Sequence, residues 1–149
     1  MASVFVIGFG NPLRGDDAIG WLAAERLAET NARKDVWVAV RHQLTPELSE
    51  PASRADLVIF VDASEGGTPG ELVCARVSAN HSSRASFTHD LDPAAVLACA
   101  RELYGRSPEG YVITVAGESF GYEERLSLTV EAAFPLLLDR IEELIRTHI

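Results

Sequence analysis

Positive charge is in short supply. Thirteen lysines and arginines face 22 aspartates and glutamates, leaving a formal charge of −9 over 149 residues. A nucleic-acid partner needs a Lys/Arg surface to meet its phosphates, so that class is excluded. Long hydrophobic runs are also missing, and none approaches the roughly 20 residues that cross a bilayer, so no membrane partner is expected. The opening residues, Met1-Ala2-Ser3-Val4-Phe5, carry no basic stretch and lead straight into an apolar run. No signal peptide is read there, and the expected compartment is the cytoplasm. Cysteine is reduced to two residues. Cys74 and Cys99 stand in unrelated segments without the paired spacing of a zinc site, and both read as reduced core side chains. Repeats, low-complexity tracts and linkers are absent, and the length suits one domain spanning 1–149.

What is present is an ordinary globular composition, 47% hydrophobic and 23% charged, arranged as alternating strands and helices. Ser3–Gly8 reads as a buried strand, continuous and rich in β-branched residues. Asp16 reads as the cap of a helix running to about Thr30, with Ile19, Leu22, Ala23 and Leu27 on one face. Asp35–Arg41 is a second strand. Thr45-Pro46-Glu47 opens a helix with a capping hydroxyl and proline at the first position. Leu57–Val61, ending at Asp62, is the most apolar strand, and Glu71–Val77 is the fourth. Asp92-Pro93 opens a helix to about Tyr104, and Tyr111–Ala116 is the fifth strand. The last helix begins near Ser127, with Val130, Leu137, Ile141, Leu144 and Ile145 as its stripe. Pro135 inside that stripe is expected to kink or restart it.

This order implies an α/β sandwich around a mostly parallel sheet. One connection departs from the rule: only eight residues separate Asp62 from Glu71. A parallel crossover needs a dozen or more, so strand four is expected to run antiparallel. Ser78–Phe87, which can span roughly 33 Å when extended, would then climb back and deliver Thr88-His89-Asp90 to the top edge. Asp16, Asp17, Asp62 and His89 are thus expected to meet at the carboxyl ends of the parallel strands, where open α/β sheets place their sites.

The stretch "GFGNPLRGDD", Gly8 to Asp17, begins like a phosphate-binding turn and ends in two carboxylates. A dinucleotide reading fails, because Leu13 stands where the third glycine of G-x-G-x-x-G belongs. Arg41-His42-Gln43 likewise stands where an acidic residue would hold a ribose. The Walker A pattern is absent too. A cation reading fares better: the O,O,N donor set of Asp17, Asp62 and His89 suits a divalent transition metal. Neither H-E-x-x-H nor a third histidine completes a permanent zinc site. The site is therefore expected to be weak alone and completed by ligands from a partner. Each residue has a plainer reading: a helix cap, a first-turn carboxylate, a turn cap, a polar residue before a helix. Their shared location weighs against it.

These residues resemble a known family, the hydrogenase maturation proteases, which trim the C-terminal tail of the nickel–iron hydrogenase large-subunit precursor. The opening motif G-x-G-N-x-L-x-x-D-[DE]-x-x-G is met by Gly8, Gly10, Asn11, Leu13, Asp16, Asp17 and Gly20. "VIFVDAS" around Asp62, "THDLDP" around His89 and "GES" at Gly117–Ser119 fall in the family's order. "LSLTVEAA" at Leu126–Ala133 resembles the start of its final helix. The resemblance implies a three-layer α/β/α sandwich with a five-stranded mixed sheet, strand four antiparallel. It implies that Asp17, Asp62 and His89 form a catalytic and metal-binding trio contacting nickel. The nickel would arrive on the precursor's own cysteine thiolates, weakly held or absent in the free protein, and act as a recognition check. Metal-assisted hydrolysis leaves carbonyl polarisation and water activation both open, and Asp16, Asp17 and Asp62 all stand as candidate bases. His42-Gln43-Leu44-Thr45 replaces the Gly-rich turn of some members, and His42 reads as a surface side chain before a cleft residue. No serine or cysteine triad is evident. The alternative is a nickel-sensing chaperone that binds the large subunit without cutting it.

Overall fold

The computed structural model describes residues 2–81 and 91–149. Five runs rich in β-branched side chains form its strands: Val4–Phe9 (β1), Val36–Arg41 (β2), Leu57–Ser64 (β3), Leu72–Val77 (β4) and Glu109–Ala116 (β5). They make one sheet in the order β2-β1-β3-β5-β4. β1 pairs in parallel with β2 and β3, β3 in parallel with β5, and β4 alone runs antiparallel, against β5. The short connection after β3 allows nothing else.

Among the described residues four α-helices cover the sheet: Ile19–Thr30 (α1), Ser49–Arg54 (α2), Pro93–Tyr104 (α3) and Leu128–His148 (α4). One face is packed by Ile19 and Ala23 of α1 and by Val130, Leu137 and Ile141 of α4, against Val6, Ile59 and Val61. The other is packed by Ala52 of α2 and Val96 and Leu97 of α3, against Ile7, Val58 and Phe60. Strands β1 and β3, covered on both sides, are therefore apolar at successive positions instead of alternating. The result is the expected three-layer sandwich. Each fully buried side chain such as Phe60 contributes about 1.5–3 kcal/mol.

Several local readings change. β3 does not stop at Asp62 but continues to Ser64, with Asp62 paired to Thr114. Thr45 precedes a 3-10 turn, Pro46–Leu48, that leads into α2, and its hydroxyl makes no capping hydrogen bond. α3 begins as expected: Pro93 occupies the first turn and the Asp92 carboxylate accepts from the Ala95 amide at 2.8 Å. α4 runs through Pro135 without restarting. Glu131 and Pro135 are both exposed, so the carbonyl that loses its donor faces water, which satisfies it. Cys99 is buried and Cys74 half-buried, both as free thiols. Among the described residues no helix is long and apolar enough to cross a membrane. Most of the expected climb, and His89 with it, lies outside the described residues.

Candidate functional site

Three glycines bring the site together. A Cβ on Gly8 would overlap the Gly20 carbonyl oxygen. One on Gly20 would overlap the Val61 oxygen and lie 2.6 Å from the Phe9 oxygen. The first turn of α1 therefore sits directly on the carboxyl ends of β1 and β3, as only glycine permits. Asp17 precedes Gly20 by three positions and Asp62 follows Val61, so this one close contact sets the two carboxylates beside each other. Between them Gly10 turns at φ 146°, and a Cβ there would overlap the Asp17 carbonyl oxygen.

Asn11 fixes the loop in two ways. Its amide donates to Asp17 Oδ2 at 2.7 Å, and its own Oδ1 accepts from the Leu13 amide at 2.9 Å, an Asx turn. Asp62 Oδ1 accepts from the following amide, Ala63, at 2.8 Å. Among the described residues the second oxygen of each carboxylate takes no hydrogen bond. Burial pushes the Asp62 carboxyl up to about 7; the negative charge of Asp17 adds to this and the Ala63 amide opposes it. Two half-buried carboxylates that repel each other offer oxygen donors to a cation, but among the described residues no group of three or more His, Cys, Asp or Glu side chains could hold a metal ion.

Asp16 is a correction. α1 has Ala18 at its N-cap with no side-chain hydrogen bond, and a 3-10 turn, Gly15–Ala18, precedes it. The Asp16 side chain, fully buried, points elsewhere. Its Oδ2 accepts from the amides of Glu118 (2.8 Å) and Ser119 (2.9 Å) and from the Ser127 hydroxyl (2.8 Å). Its Oδ1 accepts from the Ser127 amide at 2.7 Å. Burial by itself would raise its pKa; the amides of Ser127, Ser119 and Glu118 and the Ser127 hydroxyl outweigh that and hold it below the ordinary value. A carboxylate that is fully buried and takes four hydrogen bonds, at least one on each oxygen, is held as a structural anchor and is poorly placed to take a substrate proton. Asp16 instead anchors residues 117–127 to the first loop. The Gly15 amide donates to the Glu123 carbonyl (2.8 Å), the Asp16 amide to the Ser119 carbonyl (2.8 Å), and the Glu123 amide to the Leu13 carbonyl (3.0 Å). The sequence signal was the joint presence of "GES" and "LSLT", both of which supply donors to Asp16.

His42 is exposed at the end of β2, edge-on to Trp21 with ring centroids 4.9 Å apart, in keeping with the surface reading. A cleft of about 420 Å³ between α1 and α4 is lined by Leu22, Arg26, Leu126 and Phe134 among others and takes in neither Asp17 nor Asp62.

No protein-family profile matches the chain, and no curated protein does. Solved structures do. The nickel–iron hydrogenase maturation protease HycI from Thermococcus kodakarensis is 30% identical, with a TM-score of 0.77 over 97% of this chain and 93% of that one. The hydrogenase maturating endopeptidase HybD from E. coli is 25% identical, with a TM-score of 0.78 over 97% and 93%. A hydrogenase 2 maturation peptidase from a Thaumarchaeota archaeon is 27% identical, with a TM-score of 0.73 over 96% and 97%. With 30% identity and a matching fold along 97% of its length, the chain belongs to the hydrogenase maturation protease family.

Proposed function

We propose that this chain is an endopeptidase that removes the C-terminal extension of a nickel-loaded nickel–iron hydrogenase large-subunit precursor. The observation that carries the reading is the meeting of Asp17 and Asp62 at the carboxyl ends of β1 and β3. His89, ahead of α3, supplies the third donor. The metal belongs to the substrate: held by the precursor's thiolates, it presents open coordination positions to two carboxylates and an imidazole, a donor set that fits a divalent transition ion. The cation offsets the repulsion between Asp17 and Asp62, so a precursor lacking it meets a cleft that disfavours its approach. Once seated, the metal would supply either polarisation of the scissile carbonyl or activation of the attacking water. Among the described residues Asp17 and Asp62 each keep one carboxylate oxygen without a hydrogen bond, whereas both oxygens of Asp16 are engaged.

The test is mass spectrometry of nickel-loaded precursor after incubation. Wild type shortens it at one position. Asp17→Ala, Asp62→Ala and His89→Ala each leave it whole while keeping a native circular dichroism spectrum, and nickel-free precursor stays uncut. Wild-type cleavage by all three variants removes the site assignment. A precursor bound but unchanged in mass favours the chaperone over the protease.

A further inference from the structure

Leu13 is part of the opening motif but not of the core, for 50% of its surface is exposed. An exposed leucine is unremarkable by itself; the way this one is held is not. Its amide donates to Asn11 Oδ1 at 2.9 Å, the next amide donates to the Asn11 carbonyl at 3.1 Å, and its carbonyl accepts from the Glu123 amide at 3.0 Å. With the backbone fixed on both sides, the side chain stays outside. Next to Glu123 stands Tyr122, 89% exposed. The Arg14 guanidinium lies 5.5 Å from the Tyr122 ring centroid, while its Nε donates to the Phe120 carbonyl at 3.3 Å. Two apolar side chains thus stand in water on segments that Asp16 locks together. Their backbone is tied to that of Asp17, whose amide donates to the Arg14 carbonyl at 3.1 Å.

We infer that Leu13 and Tyr122 form a preformed docking rim for the folded body of the nickel-bearing precursor, seating an apolar side chain of its surface beside the metal. The inference rests on the function proposed above and names the surface that function would use. Asp17 and Asp62 cannot face a metal held in a folded protein unless the rim around them meets the surface around that metal. A second copy of this chain on Leu13 and Tyr122 would block that approach, which argues against it as the occupant. A backbone fixed before contact leaves only side-chain rotamers to be ordered on binding, which favours anchors of this kind.

The test measures both the affinity for nickel-loaded precursor, by titration calorimetry, and the cleavage kinetics. Leu13→Ser and Tyr122→Ser should each raise Kd and KM about tenfold with kcat changed by less than about twofold, the signature of lost uniform binding. Leu136→Ser, a control at a 64% exposed position on α4, should bind like wild type. Wild-type affinity in both rim variants overturns the inference and leaves the proposed function standing. A concentration-dependent dimer that Leu13→Ser dissociates overturns it in favour of a second copy. If wild type binds the precursor without cutting it, proteolysis is lost and the rim is still judged by the affinities. If wild type neither binds nor cuts, both fall.

Discussion

Ser127 bonds Asp16 twice across 111 positions of sequence, its amide to Oδ1 at 2.7 Å and its hydroxyl to Oδ2 at 2.8 Å. The same hydroxyl oxygen accepts from the Val130 amide at 3.4 Å and caps α4. One serine therefore ties the start of the last helix to the residue beside Asp17. The opening loop, the segment 117–127 and α4 are thus joined through one carboxylate and one hydroxyl, so the stability of α4 and the geometry of the carboxylate pair should be linked.

Replacing Asp16 tests this link. Asp16→Asn swaps one acceptor oxygen for a donor among donors, and should cost about 2–3 kcal/mol at pH 7. Since the folded-state pKa of Asp16 lies below the ordinary value, its contribution is complete above the unfolded pKa near 4 and fades as pH falls through the lower folded value. Urea melts should therefore show a wide gap between wild type and variant at pH 7 that narrows below about pH 4. A gap that stays constant into acid would mean the ionised form has no special part.

Asp62 should behave oppositely. Its folded pKa, about 7, exceeds the unfolded value near 4, so ionising it costs stability instead of supplying it. Below about pH 4 both states are protonated and there is no cost; between about 4 and 7 the unfolded state alone gives up its proton; above 7 the cost is full. Asp62→Asn is thus expected to be more stable than wild type by about 1–2 kcal/mol at pH 8, a gap that closes toward pH 4, while losing cleavage altogether. Thermal melts from pH 4 to 8 read the trend, and a variant less stable than wild type at pH 8 would contradict it.

The direction of β4 and the convergence of Asp17 and Asp62 were legible in the sequence because both follow from local facts. A connection of eight residues is too short for a crossover, and a residue at the carboxyl end of a parallel strand has one edge to occupy. The work of Asp16 was not legible. A carboxylate just before an amphipathic helix looks like a cap, and its real donors lie 102 to 111 positions away, where no window or period reaches. Pro135 misled for a similar reason. Its effect on a helix depends on whether the freed carbonyl meets water or protein, and that is settled by which way the turn faces.

Pro135 gives a prediction of its own. The helix continues through it, so an alanine there would restore a missing amide donor to the Glu131 carbonyl without moving the backbone. Proline is about 3 kcal/mol less favourable than alanine inside a helix, and the stiffer unfolded chain returns part of that. Pro135→Ala should therefore raise stability by about 1–2 kcal/mol with cleavage unchanged. Chemical denaturation checks the first part, and a loss of stability would mean that the ring packs against something the alanine cannot replace.

Gly20 is the position on which the site depends most directly. Its missing side chain lets α1 rest on the Val61 and Phe9 carbonyl oxygens, and rigid backbone atoms on both strands leave no room for adjustment. Gly20→Ala should force α1 outward, cost about 3 kcal/mol or more, and draw Asp17 away from Asp62. Gly66, between β3 and β4, has nothing within 4 Å of its missing Cβ and serves as the comparison. Gly66→Ala should be neutral or stabilising by up to about 1 kcal/mol. The separation of the carboxylates has its own readout beyond stability. With Asp17 displaced, its repulsion on Asp62 weakens, and the Asp62 carboxyl, followed by carbon-13 chemical shift, should titrate below about 7 in whatever fraction of Gly20→Ala remains folded. An unchanged titration in a destabilised but folded variant would mean that the close approach of α1 is not what brings the two acids together.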